Sequence, residues 1–237
     1  MPDWFESLAK VLPGEKIYDD ALAPAAKQVG RLGEDTVKTA RLMLAPLQIA
    51  AHFQDRLENM LKRVGERVPE ERRIEAPPQI AGPALAQMHF LEEGSELWRA
   101  FEELLTKAVD RDKVGLVHPA FVQIVSQLSP DEALILRSLR TKTILITDKL
   151  DWDAANRKFE NRQILEHNIP ESELSLPQQF QLYVLHLTSL GLAEWPVTDQ
   201  APLMRGNAQI GVKRNSAVQL TDFGRLFADA CAPPSAE

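Results

Sequence analysis

The chain has 237 residues and a mass of 26.6 kDa, and its 44% hydrophobic and 26% charged content is near the globular average, which excludes a collagen-like, low-complexity or fully disordered chain. With 27 basic against 34 acidic residues the formal net charge is -7, so bulk attraction to nucleic acid or anionic lipid is excluded. A single cysteine, Cys231, excludes an intramolecular disulfide and a multi-cysteine metal site, and suits a reducing compartment.

The segment Met1 to Glu6 is acidic where a secretory signal would be basic and then apolar, so a cytoplasmic location is expected. From Ile17 to Val68 apolar residues recur every three to five positions, which predicts one or two long helices with a kink before Pro46. Within them Leu42 to Phe53 contains no Lys, Arg, Asp or Glu. Its apolar residues, Leu42, Leu44, Leu47, Ile49 and Phe53, are not confined to one stripe, so most sides need covering. They are the candidate interaction residues: the cover is the rest of the chain, a second copy, another protein, or in an activated state the surface of a bilayer. No run is apolar enough over ~20 residues to span a membrane.

Val68-Pro69 and Ala76-Pro77-Pro78 bracket the charged stretch Glu70 to Glu75, which reads as an extended linker. Beyond it, Pro83 to Leu91 and Ser95 to Val109 are predicted helices separated by Gly94, the second capped by Ser95. Phe121 to Leu128 continues the pattern, and Ser129-Pro130-Asp131-Glu132 announces a new helix, with an N-cap serine, a proline at the first helical position and a glutamate three after the cap. Trp152 to His167 is read as a further amphipathic helix ending before Pro170. Pro177 to Leu190, stopped by Gly191, is another, with Phe180, Tyr183, Val184, Leu187 and Leu190 inward. Gln209 to Leu220 reads as strand-like stretches around a Lys213 to Ser216 turn, and Thr221 caps a last helix.

The expected fold is therefore mainly α: an amino-terminal helical segment over residues 1–75, a helical middle domain over 76–170, and a winged-helix-like unit with a short β-hairpin over 171–237.

Several strings are similar to the abortive-infection alpha family, a bacterial anti-phage group. They are IYDDALAPAAKQVG at Ile17 to Gly30, LAPL at Leu44 to Leu47, IAGPAL at Ile80 to Leu85, HPAFVQIVSQLSPDEALIL at His118 to Leu136 and LTDFGRLFADAC at Leu220 to Cys231. The resemblance implies a cytoplasmic phage-defence protein whose activation ends the infected cell's growth. It implies no catalytic residues, and Trp195 to Gly206 matches no known string.

Helical ribonucleases among such toxins place an arginine and a histidine along one helix with four to six residues between them, a cation and a base at the scissile phosphate. Two pairs have that spacing, Arg111 with His118 and Arg162 with His167. Gly115 and Pro119 interrupt the first, whose histidine is as well read as a helix cap, and a solvated face with Arg162 near Glu166 accounts for the second. Asp148, Asp151 and Asp153 lack the glycine and spacing of a calcium loop and read as a solvated helix start, and no two histidines are three or four apart, so no metal and no cofactor is expected. A winged-helix DNA-binding regulator is the other alternative, but Pro177 to Leu190 has no Lys or Arg to carry to a groove. The sequence thus points to a non-enzymatic defence protein that works by helix-mediated self-association, partner binding or membrane engagement, with the helical ribonuclease and the regulator as alternatives.

Overall fold

The computed structural model describes Phe53 and residues 55–231. They form two compact units, one ending at Ser126 and one beginning at Gln127. The expected kink at Pro46, and Leu42, Leu44, Leu47 and Ile49, lie outside the described residues.

The first unit is helical. Its helix α1 is described over residues 55–67, and its stripe Phe53, Leu57, Met60, Leu61 and Val64 is buried, as the periodicity predicts. Next come α2 (Pro78–Met88), α3 (Glu96–Ala108) and α4 (Pro119–Gln127). Ser95 caps α3 by accepting the Trp98 N–H at 3.3 Å, and Leu97, Trp98, Phe101, Leu104, Leu105 and Ala108 are buried on that helix. Helix α2 begins at Pro78, five residues earlier than expected, because a proline suits the first helical position, and Pro83 is carried inside it.

Ion pairs stitch α1 to α3. Arg63 grips Glu102 with two parallel bonds of 2.9 Å, and Arg67 lies 2.6 Å from Glu103. The bond to Glu102 raises the Arg63 pKa and the bond to Glu103 that of Arg67, each against the opposing effect of burial. The charged stretch after α1 is no free linker either. Glu70–Arg72 is a 3-10 turn, Ile74 donates to the Val109 carbonyl at 2.9 Å, and Arg72 reaches the buried Asp110 at 3.1 Å. A proline-bracketed run of charges reads as solvated; its three glutamates are exposed, but Arg72 is drawn to the buried Asp110 and Arg73 donates to the Val68 carbonyl at 2.9 Å.

The second unit departs from the mainly α expectation. It contains α5 (Pro130–Leu139), β1 (Ile144–Asp153), β2 (Lys158–His167), α6 (Phe180–Ser189), β3 (Ala193–Glu194), β4 (Val197–Arg205), β5 (Ala208–Leu220) and α7 (Asp222–Cys231). The five strands form one antiparallel sheet in the order β2-β1-β5-β3, with β4 also paired to β5. A winged-helix-like unit with a short hairpin does not describe it.

Two local misreadings explain the difference. Trp152 to His167 is not a helix: Asp153 Oδ1 accepts the N–H groups of Ala155 and Asn156 at 2.9 and 3.1 Å, the same bonding that caps a helix, but here it closes the turn between β1 and β2. Arg157 then takes φ 52°, which no helix continues through. Lys213 to Ser216 is not a turn but the middle of β5, which is hydrogen-bonded on both edges, so its polar residues sit in strand geometry.

The helices fall where expected. The Ser129 capping box is complete, with Ser129 N–H donating to Glu132 at 2.6 Å and Glu132 N–H to Ser129 Oγ at 3.3 Å. Phe180, Tyr183, Val184 and Leu187 are buried, Gly191 ends the segment at φ 72°, and Thr221 Oγ1 accepts the Gly224 N–H at 2.8 Å at the head of α7. Helix α5 packs on α6 and β5, and α7 on β5. Gly224 lets α7 approach the backbone just before β3, since a Cβ there would lie 1.8 Å from the Leu192 carbonyl oxygen.

Candidate functional site

Two features of the second unit present chemistry. The first is a charged cluster on the sheet. Alternation along β1 sends Ile144, Ile146 and Asp148 to one face, and Asp148 is fully buried there. Its carboxylate accepts Arg162 Nε from β2 at 2.6 Å and Arg214 from β5 through Nε at 2.9 Å and Nη2 at 3.1 Å. Burial alone would raise its pKa, but the bonds from Arg214 and Arg162 outweigh it and hold the carboxyl below the ordinary aspartate range. The Arg162 guanidinium lies over Trp195 at 4.6 Å from the ring centre. Trp195 is pinned by its Nε1–H donating to Ser216 Oγ at 2.9 Å, and that hydroxyl donates to the Ile146 carbonyl at 3.3 Å.

The second feature is apolar. Helix α6 buries one side and exposes Leu182 and Leu185, 60% and 55% accessible, three residues apart on the other. Helix α7 likewise exposes Phe223 and Leu226. The Phe223 ring lies beside Gly191, two residues past the end of α6, where a Cβ would be 3.9 Å from Phe223 Cδ1. Helix α6 is held by its acidic anchor on α5: Asp131 accepts Ser175 N–H at 2.9 Å, Leu176 N–H at 3.0 Å and the Tyr183 hydroxyl at 3.0 Å, and Glu132 meets His186 Nδ1 at 2.6 Å.

The residues singled out in the sequence are placed as follows. Arg111 is exposed in a turn, and His118 precedes α4, its Nδ1 accepting the Ala120 N–H at 3.1 Å as a cap, so this pair shares no helix. Arg162 and His167 share strand β2, where five residues separate their Cα atoms by about 16 Å. A helix would have set them about 7.5 Å apart along its axis. His167 Nδ1 accepts the Ile169 N–H at 3.3 Å and its Nε2 is 3.6 Å from Glu171. Of the interaction residues only Phe53 is described, and it is buried, its ring edge-on to His89 at 4.9 Å.

Sequence reasoning missed Asp148 and Trp195 as the partners of Arg162, Arg214 as the second cation on Asp148, and Ser216 as the residue that pins Trp195. A signal existed: Ile144, Ile146, Asp148 and Leu150 alternate, which puts an acid into an inward slot. Among the described residues no group of three or more His, Cys, Asp or Glu could hold a metal ion, and no helix is long and apolar enough to cross a membrane. A cavity of about 330 Å³ beside α7 is flanked by Arg140 and Arg225, both committed to acids of the same helix, Asp229 at 3.9 Å and Asp222 at 2.6 Å.

The family model described as abortive infection alpha matches residues 52–231, about three quarters of the chain and every described residue. No curated protein and no solved structure matches.

Proposed function

Because the chain belongs to the abortive infection alpha family, we propose that it acts in abortive-infection defence by binding protein, and that the protein it binds is a second copy of itself. The defence role follows from the family. The binding reading is supported chiefly by the outward face of α6, where Leu182 and Leu185 stand in solvent on a helix fixed from behind by Asp131 and Glu132.

Self-pairing about a two-fold axis would bury this face twice, together with Phe223 and Leu226 on each copy. Fully burying one such side chain is worth about 1.5–3 kcal/mol, and roughly half of each is already covered, so eight contribute about 6–12 kcal/mol. Association itself costs about 4–15 kcal/mol. The balance is close to zero, which gives an assembly that forms when the local concentration rises, as a defence protein held quiet until infection requires.

Sedimentation of the full chain over a concentration series, with plaque counts on cells carrying it, tests this. Self-association rising with concentration is expected, and Leu182→Glu with Leu185→Glu should abolish both association and protection while the far-ultraviolet spectrum stays unchanged. Full protection from a variant that stays monomeric at every concentration overturns the reading.

A further inference from the structure

The sheet cluster carries two cations on one anion. Asp148 is fully buried, while Arg162 and Arg214 each leave about a quarter of the side chain accessible, 25% and 26%. The bonds to Asp148 use Arg162 Nε and Arg214 Nε and Nη2. Among the described residues Arg162 Nη1, Arg162 Nη2 and Arg214 Nη1 have no hydrogen-bond partner, so three donor groups and one uncompensated positive charge stand beside Asp148 on two partly accessible side chains.

The neighbours do not cancel that charge. Ile164 is opposite Asp148 on β2 and Gln200 opposite Arg214 on β4, and both are uncharged. The acids Glu166 and Asp199 pair with Thr147 and Asn215, which alternation assigns to the other face of the sheet. The donors are also held in place before any ligand arrives: Asp148 fixes the inner edge of both guanidinium groups, and Trp195, itself tied to Ser216, supports the plane of Arg162.

We propose that Arg162 and Arg214 form an anion site for the phosphoryl group of a small phosphate ester. Guanidinium groups bind phosphoryl oxygens through paired, charge-assisted bonds, and three unbonded guanidinium nitrogens around one carboxylate supply the donors such a group takes. A long polyanion is disfavoured because the chain's net charge is -7, so attraction is confined to this spot. The face of Trp195 over which Arg162 lies is occupied, so the ester is recognised by its phosphate rather than by stacking on that face. This inference is independent of self-association through α6.

Calorimetric titration of the full chain at fixed ionic strength, with inorganic phosphate, adenosine monophosphate and a single-stranded oligonucleotide in turn, tests the site. Saturable one-site binding of phosphate and of the mononucleotide is expected, weakened at least about tenfold in Arg162→Gln and in Arg214→Gln and unchanged in Arg111→Gln. Absence of saturable heat, wild-type affinity in the two cluster variants, or an oligonucleotide that binds far more tightly than the mononucleotide overturns it. Should the cluster variants fail to fold, the wild-type chain decides: phosphate should slow phenylglyoxal modification of Arg162 and Arg214, read by peptide mass spectrometry, and not of Arg111. Equal modification with and without phosphate overturns the proposal.

Discussion

Replacing Asp131 by alanine removes the acceptor of three bonds at once, from Ser175 N–H, Leu176 N–H and the Tyr183 hydroxyl. Ser175 and Leu176 are exposed residues whose N–H groups can turn to water, whereas Tyr183 is buried and its hydroxyl has no other partner among the described residues. A hydrogen bond to a charged group contributes about 1.5–3 kcal/mol net, and an orphaned buried hydroxyl costs about 1–3 kcal/mol. Relief of the burial cost of the carboxylate subtracts from that sum, so Asp131→Ala should destabilise by about 3 kcal/mol. Urea unfolding at neutral pH measures it, with Tyr183→Phe and the double variant completing the cycle. In the double variant no hydroxyl is left unpaired, so it should recover about 1 kcal/mol or more relative to the sum of the single variants. A loss below about 1 kcal/mol for Asp131→Ala, or strict additivity with Tyr183→Phe, would show that the anchor does not hold α6.

Two further outcomes are expected. Burial pushes the Asp131 and Asp148 carboxyls up, but the N–H and hydroxyl donors on the first and the two arginines on the second outweigh it, so both stay below the ordinary value. Their contribution is therefore complete above the unfolded value of about 3.9 and is lost as pH falls through the folded values. The urea midpoint should drop steadily below about pH 4, and less steeply in Asp131→Ala; parallel acid limbs would contradict this. On α6, Leu187→Ala should cost about 2–5 kcal/mol because Leu187 is fully buried, whereas Leu185→Ala on the outer face should change the unfolding midpoint little. Equal losses would contradict the assignment of a buried and an open face to α6.

Local signals carried the helices. The spacing of Phe53, Leu57, Met60, Leu61 and Val64, the serine caps at Ser95 and Ser129, and the Gly191 stop are each written within a few residues, and helical bonds also join residues four apart. The sheet was less legible because its evidence is spread along the chain. Asp153 caps a hairpin turn with the same bonds that start a helix, and the Lys213 to Ser216 run looks like a turn until β1 and β4 are seen on either side of it.

The same division governs the function. Family membership, the overall acidity and the lone cysteine are properties of the sequence, since string similarity and charge need no coordinates. Arg162 was visible as a candidate beside His167, a partner that helical spacing suggested and strand geometry moved out of reach. Its actual partners, Asp148 and Trp195, and Arg214, the second arginine on Asp148, come from three other places in the chain. Only antiparallel pairing brings them together, because a sheet joins residues by register across strands, and register is decided when the strands meet.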